Sequence, residues 1–347
     1  MGRLSRSELQ ELNRAKVLAA AKDEFAERGF REAKIDVIAE RAELTRGAVY
    51  SNFPGKRALY FAVLAEEAEA EAAGPLHEPG LDPREALGAF ARAWLARLPL
   101  AVDDSGWLAR DLMPEVLADE RTRRPFAQLM RIDALLLGLA FERLRPGGRM
   151  VRVAETALTL LQGASQMAAA APGFTEIFNV VRACEQLAEL DLGDRWPPPP
   201  IVPPTRHGDE PWAPPAAVDI VRGGPARLDV DGVVAVLGLH RASAVEESVR
   251  ALPSSASVTA VLVSSAPDEL APLVRLAVAD LRTCLRQAFP ASALPRLQIV
   301  CDADGTVAKA AGVPSVSDAT EAAVRIAGGR IVTRAEGWGA CHAAATG

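Results

Sequence analysis

The reading of this chain turns on Ile35-Asp36-Val37-Ile38-Ala39-Glu40-Arg41-Ala42, then Glu43-Leu44, then Thr45-Arg46-Gly47-Ala48-Val49-Tyr50-Ser51-Asn52-Phe53-Pro54-Gly55-Lys56. Ile35, Ile38 and Ala39 fall on one face of a short helix. Thr45 is placed to cap a second helix that turns Ala48, Val49 and Phe53 inward, and Pro54-Gly55 forces a turn after it. Upstream, Leu12, Ala15, Leu18, Ala19, Ala21 and Phe25 form a helical stripe across 7–28, which Gly29 closes. Three short helices in this order predict a helix-turn-helix around Ile35 to Phe53. Such a unit needs an apolar seam, small or polar residues on the reading helix, and donors for phosphates. Ile35, Ile38, Leu44, Val49 and Phe53 supply the seam. Thr45, Arg46, Gly47, Ala48, Ser51 and Asn52 supply the outer face, while Tyr50 and Lys56 are placed to reach phosphates. A merely structural three-helix unit would explain the stripes. It would not explain why Gly29, the run from Thr45 to Phe53 and Lys56 occur together.

These residues, with Phe25-Ala26-Glu27-Arg28-Gly29-Phe30 before them, strongly resemble the TetR family of repressors. The resemblance implies a homodimer whose N-terminal units bind a palindromic operator in double-stranded DNA. It also implies a larger helical domain that takes a small-molecule inducer, and a dimer interface built from that domain's last two helices. Two positions depart from the family pattern. Lys34 stands where a threonine usually caps the second helix, which keeps a phosphate contact and loses the cap. Glu43 stands where glycine is common, so a left-handed backbone there costs about 1 kcal/mol relative to glycine.

Charge is divided along the chain. Residues 1–60 hold 12 Lys/Arg against 9 Asp/Glu, a net of +3, whereas the whole chain is -6. The basic excess therefore lies where DNA contact is expected, and the acidic remainder discourages nonspecific wrapping. No apolar run is long enough to span a bilayer, and the basic N-terminus leads into a charged stretch rather than a signal core, so a cytoplasmic protein without membrane contact is expected. Neither Cys184, Cys284, Cys301 and Cys341 nor the four histidines show metal-ligand spacing. No metal or cofactor is expected.

The fold class expected is multidomain. An all-α N-terminal two-thirds comprises a DNA-binding unit (1–56) and a helical ligand-binding and dimerisation domain (57–193). A Pro-rich spacer (194–215) and a small α/β domain (216–347) follow. The spacer holds nine of the chain's 25 prolines. Pro114, Pro125 and Pro146 mark breaks or kinks in the helical part. Its two most apolar segments, 151–171 and 174–190, are candidates for the homodimer interface, and Trp94, Trp107, Met113, Phe126, Met130, Phe141 and Met167 are candidate walls of an inducer pocket.

In the tail, strands at 233–237, 259–263 and 297–300, helices at 244–252 and 270–289, and a hairpin at 322–333 are expected. The run from Ile299 to Val313 and the segment Gly328-Gly329-Arg330-Ile331-Val332 loosely resemble a thioredoxin-like or peroxiredoxin-like domain. Leu239-His240-Arg241-Ala242-Ser243 stands where that family carries its nucleophilic cysteine, and Glu321 stands near the place of its cis-proline. Without a thiolate there, thiol exchange has no nucleophile. Cys301 lies beside Asp302 and Asp304, whose charges would raise its pKa. A ligand-responsive regulator is the leading reading, with no enzymatic activity. A thiol-redox or peroxide-related enzyme or sensor acting through the tail, and an interaction scaffold, are the alternatives.

Overall fold

The computed structural model describes residues 5–71, 79–97, 108–253 and 255–347. Helix α1 (Arg6–Glu32) opens with a capping box, in which Ser5 Oγ accepts from Glu8 N–H and Glu8 accepts from Ser5 N–H. Gly29 breaks it at φ 72°. A Cβ on Gly29 would lie 2.2 Å from Arg110 Nη2, the movable end of a side chain, so the backbone conformation is what favours glycine there. Helices α2 (Ile35–Arg41), α3 (Arg46–Asn52) and α4 (Lys56–Glu71) follow, then α5 (Pro83–Leu95), α6 (Leu112–Leu117), α7 (Glu120–Leu144), α8 (Val151–Ala170) and α9 (Ile177–Leu187). Pro114 and Pro125 lie inside α6 and α7, which continue through them.

The remaining residues build a two-stranded ribbon, β2 (Val218–Asp219) with β3 (Gly224–Pro225), and a six-stranded mixed sheet. In the sheet, β1 (Arg206–Pro211), β8 (Arg330–Glu336), β7 (Glu321–Ala327), β4 (Gly232–Gly238), β5 (Ser257–Val263) and β6 (Gln298–Cys301) lie side by side in that order. Its central strands β4 and β5 are parallel to each other and to β6. Helices α10 (Val245–Ala251) and α11 (Pro267–Ala288) make the crossovers between them. After α12 (Thr306–Ala310), the hairpin of β7 and β8 adds antiparallel to β4, and α13 (Ala340–Thr346) closes the chain. The expected strands and crossover helices lie where the sequence placed them. Part of the expected spacer is structured: β1 (Arg206–Pro211) pairs with β8, and Trp212 is buried with its Nε1 donating to Leu228 O at 2.7 Å. A proline is compatible with that strand because β1 is an exposed edge.

Alternation along the strands divides the sheet's two faces. Val234, Val236, Val261 and Val263 point into a small core with Trp212, Leu228 and Val307. Val233, Ala235, Leu237, Ala260 and Leu262 point the other way, into a core that runs without interruption through the helices of the N-terminal two-thirds. The bridge is α11, which packs along α4 and against α5 and α7. Phe289, just after it, meets the Phe141 ring at 5.3 Å.

Candidate nucleic-acid interface

Helices α1, α2 and α3 close on Leu18, Phe25, Ile38, Val49 and Phe53, all buried. The turn between α2 and α3 places Glu43 at φ 56°, the left-handed conformation its position demands. Thr45 caps α3, its Oγ1 accepting from Ala48 N–H at 3.2 Å, a contact worth about 1 kcal/mol. Lys34, at the N-cap of α2, makes no side-chain cap. Its own N–H instead donates to buried Glu24 at 3.3 Å.

With Val49 and Phe53 held inward, Thr45, Arg46, Gly47, Tyr50 and Ser51 are exposed together and Ala48 is half-buried among them. Arg46 is steered by Asp36 at 3.1 Å and lies 5.6 Å from the Tyr50 ring centroid. Ser51 Oγ and Asn52 Nδ2 both donate to Ala48 O at 2.8 Å, so neither is idle before a partner arrives. Lys34 is exposed at the edge of this face.

Lys56 is placed differently from the expected phosphate donor. Its ammonium turns inward, donating to Ala33 O at 2.8 Å and Arg31 O at 3.1 Å, and sits 4.7 Å from the Phe30 ring centroid. Burial lowers its pKa. It thus ties the start of α4 to the joint between α1 and α2. Two supporting residues carried no signal in the sequence. Asp111 accepts from Phe30 N–H at 2.7 Å beside the break at Gly29, and Arg14 donates to Asn52 O at 3.2 Å while stacking on Phe53 at 4.3 Å. Both contacts join segments far apart in sequence, which no local pattern announces.

The expected inducer-pocket residues are not gathered around one space. Phe141 is core against Phe289; Trp94 stacks on Phe90 and donates to Ser165 Oγ at 3.1 Å; Met167 is exposed. Met113, Phe126 and Met130 are half-buried on α6 and α7, and Trp107 lies outside the described residues. Helix α11 packs against α4, α5 and α7 of the same helical part. In the tail, Arg241 stands at the expected nucleophile position and forms an ion pair with buried Glu321, whose other oxygen accepts from Gly339 N–H at 2.8 Å. Cys301 is pushed up to about 12, chiefly by burial and only secondarily by Asp302. Burial likewise raises Cys184 and Cys341.

With the geometry in place, comparison with known proteins gives one family. Residues 17–63 match the model of bacterial regulatory proteins, tetR family. That span begins in α1, takes in α2 and α3, and ends in α4. No curated protein matches the chain. Among solved structures it is similar to a TetR transcriptional regulator from Rhodococcus sp. RHA1, at 18% identity over 52% of this chain and 95% of that one, with a TM-score of 0.36. It is also similar to the multidrug binding protein EbrR complexed with imidazole, at 19% identity over 52% and 91%, with a TM-score of 0.40. A third is SmeT, repressor of the Stenotrophomonas maltophilia multidrug efflux pump SmeDEF, at 20% identity over 50% and 87%, with a TM-score of 0.34. Among the described residues, no helix is long and apolar enough to cross a membrane.

Proposed function

We propose that the chain is a DNA-binding transcription regulator of the TetR kind, acting as a homodimer on a palindromic operator and released by a small molecule. The observation that carries this is α3: capped by Thr45, locked inward by Val49 and Phe53, and open to solvent along Arg46, Gly47, Tyr50 and Ser51 within the matched segment. Arg46 is the candidate reader of a base edge, and Lys34, Thr45 and Tyr50 the candidate phosphate donors. Lys56 serves chiefly as a brace. An exposed apolar face around α8 and α9, including Met167, Phe174, Phe178 and Leu190, supports dimerisation there. The tail, with strand crossovers and a terminal hairpin of thioredoxin-like order, acts as a non-catalytic unit fused to the helical core.

The test is sequence selection on random duplex DNA with the full chain at two salt concentrations. A recovered palindrome with half-sites one helical turn apart is expected, with binding that persists at moderate salt. Salt-sensitive binding without sequence preference would overturn the reading.

A further inference from the structure

A cavity of about 490 Å3 lies where the reading head meets the α/β unit. Arg14 of α1 and Asn52 of α3 form one side and Glu69 of α4 another; the carboxyl end of β6 with the start of α12, the first turns of α11, and the segment 216–220 close the rest. Its size is that of a small-molecule site, and it lies beside the carboxyl end of the edge strand β6.

The chemistry of the walls is uneven. Two guanidiniums line the cavity. Arg275 is neutralised by Glu69 through bonds of 2.8 and 2.5 Å. Arg14 is half-buried and has only the Asn52 carbonyl and the Phe53 ring; among the described residues no carboxylate lies within ion-pair reach of it. Burial, and then the like charge of Arg275, lower its pKa; Glu66 and Asp268 act against them from beyond ion-pair distance and offset them only in part. The 22-residue α11 points its N-terminus at the same space, without a side-chain cap at Ala266.

Three acids bear on the opposite sign. Asp302 is occupied, accepting from Thr306 N–H at 3.0 Å and Ala308 N–H at 2.8 Å. Asp268 and Asp304 are exposed at the rim, where they oppose a ligand of multiple negative charge. Apart from Thr306 the remaining wall is apolar, including Ala217, Ile220, Ala271, Pro272, Val300 and Val307. With these acids nearby the space tolerates at most one negative charge, and that only beside Arg14 and the start of α11, with a modest apolar body.

We propose that the cavity binds a monoanionic amphiphile, a carboxylate on a short aliphatic body, whose head group pairs with Arg14 and draws it from the carboxyl end of α3. The second half of this statement rests on the reading of α3 as the DNA-reading helix; the first half does not. Arg14 now holds the Asn52 carbonyl, so a competing carboxylate loosens the last turn of α3 directly.

Sodium octanoate is the probe, titrated calorimetrically into the full chain beside n-octylammonium and 1-octanol. Saturable binding of one octanoate per chain is expected, about tenfold weaker in Arg14→Gln and lost in Ala271→Phe, which fills the cavity from α11. Circular dichroism checks that both variants fold. Absence of saturable binding, indifference to both substitutions, or octylammonium binding as tightly would overturn the site. On an operator recovered by selection, octanoate is expected to weaken binding by the wild-type chain and leave Ala271→Phe unaffected. Octanoate that binds as described yet leaves operator affinity unchanged would overturn the coupling to α3. If the unliganded chain selects no operator, the DNA reading fails, and the titration alone decides the cavity.

Discussion

Replacing Lys56 with methionine separates two roles that a lysine beside a reading helix can play. Methionine keeps an apolar stem against Phe30 and removes the ammonium, together with its bonds to Ala33 O and Arg31 O at 2.8 and 3.1 Å. Hydrogen bonds from a charged donor contribute about 1.5 to 3 kcal/mol each. Two offsets apply here: the ammonium's own burial, which already lowers its pKa, and rehydration of Arg31 O at an exposed residue. The net loss is about 2 kcal/mol, or about thirtyfold in the local opening equilibrium. Amide exchange across the α1–α2 joint should read that loss as reduced protection. Operator binding should weaken at every salt concentration, while the slope of log affinity against log salt stays at the wild-type value, since no phosphate contact is removed. Unchanged protection with a slope lowered by about 0.9, the signature of one lost phosphate contact, would make Lys56 a DNA contact and not a brace.

Three further outcomes follow from single residues. Glu43→Gly relieves the left-handed strain at φ 56° and should raise stability by about 1 kcal/mol, read as a higher urea midpoint; a lower midpoint would mean that its 3.6 Å contact with Lys16 outweighs the strain. Phe178→Asp places a charge on the exposed apolar face of α9 and should convert a dimer to a monomer in sedimentation velocity, whereas a persistent dimer would move the interface elsewhere. Glu247 is raised to about 7 by burial and then by Glu321, so the native state holds a proton that the unfolded chain releases near 4.5. Its contribution therefore favours folding below about 4.5, declines as pH rises to about 7 and is flat above. In Glu247→Gln the fall in melting temperature between pH 5 and 8 should shrink, and an unchanged fall would assign the slope to other groups.

What could be read from sequence divides by range. The α2–turn–α3 unit was legible because its determinants are local: Thr45 caps three residues ahead, Val49 and Phe53 are four apart, and Glu43 had to turn left-handed for the helices to meet. The strands of the tail were legible because β-branched runs fix their own pleat. The course of Arg14, Lys56 and Asp111 was not, because each spends its polar atoms on a backbone group of another element. Composition told only part of 194–215, because residues 206–211 form an edge strand that ends on Pro211 and tolerates it there. The clearest unread signal lay in α11. A crossover helix that covers only a sheet needs one apolar face. This one carries Leu270, Leu273, Val274, Ala277, Val278, Leu281, Cys284 and Leu285 on one broad buried face, yet Pro272, Ala279, Arg282 and Thr283 on its other side are buried as well. Small residues at Ala279 and Thr283 let a second layer close on the side away from the main apolar face, and α11 is packed against α4, α5 and α7 of the helical part.

That enclosure bears on whether the chain can be cut at its apparent boundary. Truncation after residue 193 removes α11 from beside α4, α5 and α7, and with it Phe289 from Phe141. It also strips Arg57 of Glu269, Glu69 of Arg275, and Gly80 N–H of its bond to Ala288 O at 3.0 Å. Large-to-small changes at single core sites already cost about 2 to 5 kcal/mol. Loss of a whole helix from a continuous core exceeds a typical domain's margin of about 5 to 15 kcal/mol. The truncated chain is therefore expected to lose its near-ultraviolet dichroism and cooperative melting while keeping helical far-ultraviolet signal, the behaviour of a collapsed chain without fixed packing. Residues 1–193 melting cooperatively, at the temperature of the full chain, would show instead that the helical part closes over the vacated space and that α11 is an addition to a finished core. Under the first outcome the α/β unit holds α4 in place, and α4 begins at Lys56, the residue that ties it to the reading head.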